Sequence, residues 1–414
     1  MRKIGIFLVL TTLWTVAFAP KATPIQVFVI GDSTASPYSA SSYPRMGWAQ
    51  VLEDFFNPDS VVVIDKARSG RSSKSYYHES EGWPSVKSQL QSGDFLFIQF
   101  GHNDSKTDAE RFTDPFTTYQ EYLTRYIDEA HALGVTPVLM TSIHRNSWQS
   151  DTVNINDTHG DYLVAVRELA DSLNVAMVDM ANLTEGLFES LGYTFTSENV
   201  FLNLPDSLYS AYISGNEDNT HLQEYGAYEL SKLVADELAA ITDSSVQRLK
   251  SGLYDMIRVN LEASPAGSGY VQGPHFFPVD VERTIYARPA TRSDYEFVGW
   301  TVNGSEVETK SRFSFSVSAG DSDTRLAEFA LPTNGILDQL AELEVWVNEN
   351  ALRVESGIPM LELNLIDQAG RSYFQLDANG ALSTETNISH LPAGVYYLQV
   401  RRTKDAGWEK ILLD

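Results

Sequence analysis

Three short segments carry a serine, a glycine and an asparagine, each directly after an apolar run. Gly31-Asp32-Ser33-Thr34 follows Ile25 to Ile30 and puts a hydroxyl where the chain must turn away. Ala67-Arg68-Ser69-Gly70-Arg71 follows Val61 to Ile64, and Gly70 can bring its backbone N–H against a ligand with no side chain in the way. Phe100-Gly101-His102-Asn103-Asp104 closes the run from Phe95, where Asn103 offers a short amide donor at a fixed place. Alone, each segment reads equally well as a turn. Together they supply a hydroxyl nucleophile beside donors able to hold a developing oxyanion, if the fold brings them to one edge.

A serine at neutral pH needs a base, and the base needs a carboxylate to hold its tautomer. Of the eight histidines, His131 and His221 have an aspartate three positions earlier, Asp128 and Asp218. His131 falls in the last turn of a helix that ends at the far edge of the sheet from Ser33. Asp218-Asn219-Thr220-His221 precedes a final helix, on a stretch that can reach the same edge as Ser33. His102, His144 and His159 stay open as competitors.

These residues need a scaffold that gathers strand ends. Between Ile25 and about Ile241, short apolar runs alternate with helix-period segments, which predicts a parallel sheet with helices on both faces. Strands are expected at Ile25 to Ile30, Val61 to Ile64, Phe95 to Phe100, Val135 to Met140 and Val175 to Met180. Tyr119, Tyr122, Leu123, Tyr126, Ile127 and Ala130 recur at helical spacing up to Gly134, and a last helix is expected from about Leu222 to Ile241. In open parallel sheets, function collects at the carboxyl ends of the strands. Residues 181–217 give no clear pattern. After Ser251 the texture becomes Val-, Tyr- and Phe-rich runs broken by Gly, Pro and Asn, which predicts two small β domains at about 253–330 and 335–414. Both are expected to lie outside the catalytic unit at 23–250.

With 414 residues, 43% of them hydrophobic, the chain has ample material for more than one core. A formal charge of -25 argues against general binding to nucleic acid or anionic lipid. The absence of cysteine removes thiol nucleophiles and Cys-ligated metal. At the amino terminus, Arg2 and Lys3 precede an apolar run from Ile4 to Phe18 that ends in Ala17-Phe18-Ala19. That layout predicts a secretory signal peptide over residues 1–22, cleaved after Ala19 or Ala22. The run is shorter than the roughly 20 residues of a spanning helix, so no membrane span is expected in the mature protein.

In this order, Gly31-Asp32-Ser33-Thr34, Gly70, Gly101-His102-Asn103-Asp104 and Asp218-Asn219-Thr220-His221 resemble the four blocks of the SGNH (GDSL) hydrolase superfamily. Arg45-Met46-Gly47-Trp48, the Ala67 to Ser72 segment and the Asn-Thr-His form are similar to its rhamnogalacturonan acetylesterases. The resemblance spans about residues 25–242. It implies a three-layer α/β/α, flavodoxin-like hydrolase domain, followed here by the two small β domains. It also implies Ser33 as nucleophile, Ser33, Gly70 and Asn103 as oxyanion donors, His221 as base and Asp218 as its orienting partner. No metal or organic cofactor is implied. Tyr295-Glu296-Phe297-Val298-Gly299-Trp300 resembles small bacterial β repeat domains, and the closing Gly394 to Leu413 stretch resembles type IX secretion sorting domains, which would make the secretion machinery a partner.

What the resemblance implies is a secreted serine esterase that removes acetyl groups from plant cell-wall polysaccharide, rhamnogalacturonan above all, with acetylxylan as the alternative. A non-catalytic glycan-binding surface protein is the reading from another class. Pectin is a polyanion, and Arg68, Arg71 and Lys74 flank Gly70. They either pair with substrate carboxylates or offset Glu79 and Glu81 in a solvated loop.

Overall fold

The computed structural model describes residues 23–331, 343–347, 351–367, 371–402 and 406–413. The expected signal peptide lies outside the described residues. Five strands, β1 (Ile25–Gly31), β2 (Val61–Asp65), β3 (Phe95–Gln99), β4 (Thr136–Met140) and β5 (Ala176–Val178), form an all-parallel sheet in the order β2-β1-β3-β4-β5. Each strand places alternate side chains on opposite faces, and both faces are buried. Val27, Val29, Phe95, Phe97, Val138 and Met140 pack on one side. Phe28, Ile30, Leu96, Ile98 and Leu139 pack on the other. Near-continuous apolar strands are what a sheet covered on both sides requires.

The second face is covered by the helices Ser73–His78, Trp83–Lys87, Gln120–Ala132 and Asp161–Leu173. The Gln120–Ala132 helix buries Leu123, Tyr126, Ile127 and Ala130, the stripe its spacing predicts. The first face carries the 3-10 segment Trp48–Phe55 and the helices Met180–Leu191 and Glu224–Ala240. This is the expected three-layer α/β/α fold. Its strand order reverses direction between β1 and β3, the place where such sheets open a crevice at their carboxyl ends.

Residues 256–330 form β6 (Met256–Arg258), β7 (Asn260–Ser264), β8 (Gly269–Gln272), β9 (Phe276–Pro278), β10 (Arg283–Pro289), β11 (Glu296–Val302), β12 (Ser305–Glu308), β13 (Arg312–Phe315) and β14 (Thr324–Ala330). The expected Asn303-Gly304 hairpin turn joins β11 to β12, both residues having positive φ. This region has its own small core around Trp300, Ile285 and Phe277. Packing is nevertheless continuous across residue 251, and the chain up to Phe329 is one compact unit. Phe276 of β9 is buried in the hydrolase core against Phe55. Tyr254 N–H donates to the Phe55 carbonyl (3.0 Å), Arg258 forks onto Glu229, and Tyr270 stacks on Tyr43 at 5.4 Å. A chain ended at Ser251 would lose these contacts and expose the pocket that Phe276 fills. Its melting temperature, followed by circular dichroism, is expected to fall by more than about 10 °C relative to a chain ended at Phe329, since burying one large aromatic alone is worth roughly 3–5 kcal/mol.

Glu224 makes the same junction sensitive to pH. Its buried carboxyl accepts from Tyr43 OH (2.7 Å) and from the Gly273 N–H (3.2 Å), and burial pushes its pKa up to about 8. In the unfolded chain it returns to the usual carboxylate range. The unfolded state therefore releases this proton first, so the stability that the group contributes is complete below about pH 4.5 and is lost as pH rises toward 8. Glu224→Gln keeps the shape without the titration. Its melting temperature relative to the parent protein is expected to rise by several degrees between pH 5 and pH 8, roughly what a linkage term of about 3 kcal/mol yields.

The chain from Ala330 forms a second compact unit. Its strands β15 (Leu343–Val347), β16 (Ala351–Asp367), β17 (Ser372–Asn387), β18 (Gly394–Arg402) and β19 (Ala406–Leu413) make an antiparallel sheet in which β16 pairs with β15, β17 and β18. Leu363, Leu365, Leu398 and Val400 supply its buried face.

Candidate active site

Ser33 lies two residues beyond β1, in a turn fixed from several directions. The Asp32 carboxylate accepts from Thr34 N–H and Thr34 Oγ1, both at 2.9 Å, while Trp48 N–H donates to the Thr34 carbonyl. Tyr38 OH donates to the Ser33 carbonyl (2.8 Å). Gly31 is needed for the approach of β1 to β3, because a Cβ there would sit 2.6 Å from the Gln99 carbonyl oxygen. Ser33 as a whole is 6% exposed.

The histidine comes from the other side of the sheet edge. His221 Nε2 is 2.9 Å from Ser33 Oγ, and His221 Nδ1 is 2.6 Å from Asp218 Oδ2. Burial raises the Asp218 pKa, but hydrogen bonds from the His221 ring, its backbone N–H and the Thr220 N–H outweigh that and bring it to about 2. The carboxylate is thus ionised and can only accept, so the Nδ1 proton points at it. In a neutral imidazole Nε2 is then bare, and Ser33 donates to it. A proton can pass from Ser33 to His221 along this line without any rearrangement. His102, His144 and His159 make no bond to Ser33: His159 Nε2 meets the Ile143 carbonyl, and burial holds the pKa of all three low. His131 is exposed near the amino end of β4, at the opposite edge.

The two donor loops are tied to the serine turn and to each other. Arg68 N–H donates to the Gly31 carbonyl (2.9 Å), and Asn103 Nδ2 donates to the Arg71 carbonyl (3.0 Å). One amide hydrogen of Asn103 is thereby held, which fixes which end of the side chain is nitrogen and leaves a second hydrogen for another acceptor. Gly70 has φ +81°, and a Cβ there would meet nothing within 4 Å, so the backbone conformation and not crowding calls for glycine. Asp104 anchors the Asn103 loop by accepting from Ser73 N–H (3.0 Å), Ser73 Oγ and Thr113 Oγ1 (3.1 Å). Burial raises its pKa to about 7.

Arg68, Arg71 and Lys74 do flank Gly70, and all three are engaged. Arg71 forks onto Glu79 at 2.8 and 2.6 Å, Arg68 bridges Glu79 and Glu81 at 3.0 Å each, and Lys74 donates to the Ala109 carbonyl (2.6 Å). The geometry here is that of the loop-stabilising alternative, with the guanidinium charge offset by carboxylates.

Several residues that fix the site carry no sequence signal of their own. Half-buried Arg145, from the loop after β4, donates to Thr220 Oγ1 and to the His102 carbonyl (3.3 Å), and so joins the histidine loop to the asparagine loop. Asn146 N–H donates to the Asn219 carbonyl (2.9 Å) and its side chain to Asn219 Oδ1 (2.6 Å). Asn203 accepts from Asp218 N–H (2.8 Å), and Leu202 N–H donates to the His221 carbonyl (2.8 Å). The segment 181–217, unreadable as a pattern, is therefore the brace of the Asp218–His221 loop.

The chain matches the GDSL-like lipase/acylhydrolase family over residues 29–203. It is 38% identical over 213 residues to the rhamnogalacturonan acetylesterase RhgT of Bacillus subtilis, spanning 51% of this chain and 89% of that protein. This chain belongs to the GDSL-like lipase/acylhydrolase family. As a GDSL hydrolase it is a carboxylic ester hydrolase. The rhamnogalacturonan acetylesterase of Emericella nidulans is 30% identical over 256 residues, covering 56% of this chain and 91% of that one. Among solved structures, a catalytic mutant of the acetylxylan esterase Axe2 from Geobacillus stearothermophilus is 18% identical, with a TM-score of 0.37 and coverage of 52% and 95%. The family match in this GDSL hydrolase includes Ser33, Gly70 and Asn103 and ends before Asp218 and His221, which the bonds at 2.9 and 2.6 Å join to Ser33.

Proposed function

We propose that this protein is a secreted carbohydrate O-acetylesterase whose substrate is acetylated rhamnogalacturonan. The observation that carries the chemistry is the line Ser33 Oγ, His221 Nε2, His221 Nδ1, Asp218, at 2.9 and 2.6 Å. Support for the substrate comes from the bacterial relative that shares 89% of its length with this chain. Support for export comes from the basic, then apolar, amino-terminal segment.

Ser33 Oγ attacks the acetyl carbonyl carbon as its proton moves to His221 Nε2. The carbonyl electron pair shifts onto oxygen, and the resulting oxyanion accepts hydrogen bonds from the Ser33 and Gly70 N–H groups and the free Asn103 amide hydrogen. Collapse expels the sugar oxygen, which takes the proton from His221, and leaves acetyl-Ser33. Water then attacks the acyl group with His221 again as base, releasing acetate and restoring the serine. Asp218 stays ionised throughout and stabilises the imidazolium. Asn103→Ala removes one of three oxyanion donors, and kcat is expected to fall about 10²- to 10³-fold with KM little changed. A change confined to KM would make Asn103 a substrate-positioning group instead.

The test of the whole reading is acetate release from a panel of acetylated rhamnogalacturonan, homogalacturonan and xylan. Preference for the first is expected. Release from xylan alone would replace the substrate but keep the chemistry, and hydrolysis of simple aryl esters with no polysaccharide would remove the carbohydrate assignment.

A further inference from the structure

We propose that the cleft between the Glu224–Ala240 helix and strands β6 to β8 is a second carbohydrate-binding site, which takes neutral glycosyl residues of the polymer being deacetylated. The identity of the polymer rests on the function proposed above; the chemistry of the cleft does not.

The cleft encloses about 770 Å³, within the roughly 300–1,000 Å³ range of small-ligand sites. Phe195 lines it with 40% of its surface exposed. Its ring stands edge-on to Tyr225 at 5.5 Å, and Tyr225 stands edge-on to His275 at 5.3 Å. A single exposed ring needs no explanation. Here, however, the same short helix, Tyr193–Phe195, also exposes 48% of Tyr193, whose ring meets Trp148 at 5.9 Å. Trp148 in turn donates to Asn146 Oδ1 (2.7 Å), the residue that braces Asn219 in the histidine loop. A strip of partly exposed rings thus runs from the brace of the catalytic loop into the cleft. Flat rings paired with amide and carboxylate groups suit the C–H faces and hydroxyls of sugars, and rigid rings lose little entropy on binding.

Charge selects among sugars. Among the described residues, Arg258 is the only lysine or arginine lining the cleft, and both of its amino groups are committed to Glu229. Glu262 adds a further carboxylate, while Glu224, its pKa raised to about 8 by burial, adds no cation. A galacturonate carboxylate would find no uncommitted cation here, whereas the hydroxyls of a neutral sugar meet the amides of Asn199 and Asn260, carboxylates and rings.

The test uses Ser33→Ala protein, so that ligand is bound and not consumed, titrated by calorimetry with three probes of equal length: deacetylated rhamnogalacturonan, xylo-oligosaccharide and oligogalacturonide. Binding of at least one of the first two is expected, weakened about tenfold by adding Phe195→Ala and restored by Phe195→Tyr, the loss of one stacked ring being worth about 1.4 kcal/mol. Affinity unchanged by Phe195→Ala, or strongest for oligogalacturonide and sensitive to Phe195, overturns the proposal. If binding depends on Phe195 while the parent enzyme releases acetate from no polysaccharide, the site stands and the proposed function fails. If acetate is released but Phe195→Ala binds as before, the reverse holds.

Discussion

Ser33→Ala is expected to lower kcat/KM on an aryl acetate by 10⁴-fold or more while leaving the thermal transition within a few degrees of the parent protein. The two halves of that expectation have separate causes. The turn around Ser33 is held by Asp32, Thr34, Tyr38 and Trp48 through backbone and side-chain bonds that do not involve the serine hydroxyl. The hydroxyl itself makes its one contact with His221. Stopped-flow hydrolysis and a calorimetric melt, run on the same preparation, check both. Retention of more than about a percent of activity would mean that another group attacks the ester.

His221→Ala is expected to be as damaging as the serine change, because losing either member of a proton-transfer pair disables the other. The informative comparison is His131→Ala, which is expected to stay within about twofold of the parent protein. Both histidines follow an aspartate by three residues, so local sequence does not separate them. Position does: His221 meets Ser33 at the carboxyl edge of the sheet, whereas the helix bearing His131 ends beside the amino end of β4. Loss of activity in the His131 variant with retention in the His221 variant would contradict the strand order itself.

The sheet was legible because it is covered on both faces, so that each strand is a short continuous apolar run. The expected runs at Ile25 to Ile30 and Val61 to Ile64 fall within one residue of β1 and β2. At β5 the match is looser, Val175 to Met180 against Ala176–Val178, because Asp179 starts the next helix by capping Asn182 N–H. The residues at the strand ends were legible for a different reason: each alone reads as a turn, but a serine, a glycine and an asparagine after successive buried runs, followed by an Asp-x-x-His, form an ordered set. Arg145, Asn146 and Asn203 left no such mark. They are isolated polar residues in loops, and their partners, Thr220, Asn219 and Asp218, lie far away in sequence or are themselves loop residues. The pairing of Arg71 with Glu79 was one of two readings of the same charges, and only distance separates an internal ion pair from a substrate clamp. The junction at residue 251 was opaque because a change in local texture reports element type and says nothing about whether the new strands bury their side chains in the old core.

That junction also sets a schedule for the chain as it is made. Domains generally complete their packing as units while synthesis proceeds from the amino terminus. In this chain Ser33, Gly70, Asn103, Asp218 and His221 are all synthesised before Phe276, yet the core beneath them is closed by Phe276. The nascent chain therefore carries the whole candidate site over an unfinished interior until β9 has left the ribosome. Until then the incomplete core leaves the chain less stable and more open to whatever holds, moves or degrades unfolded polypeptide.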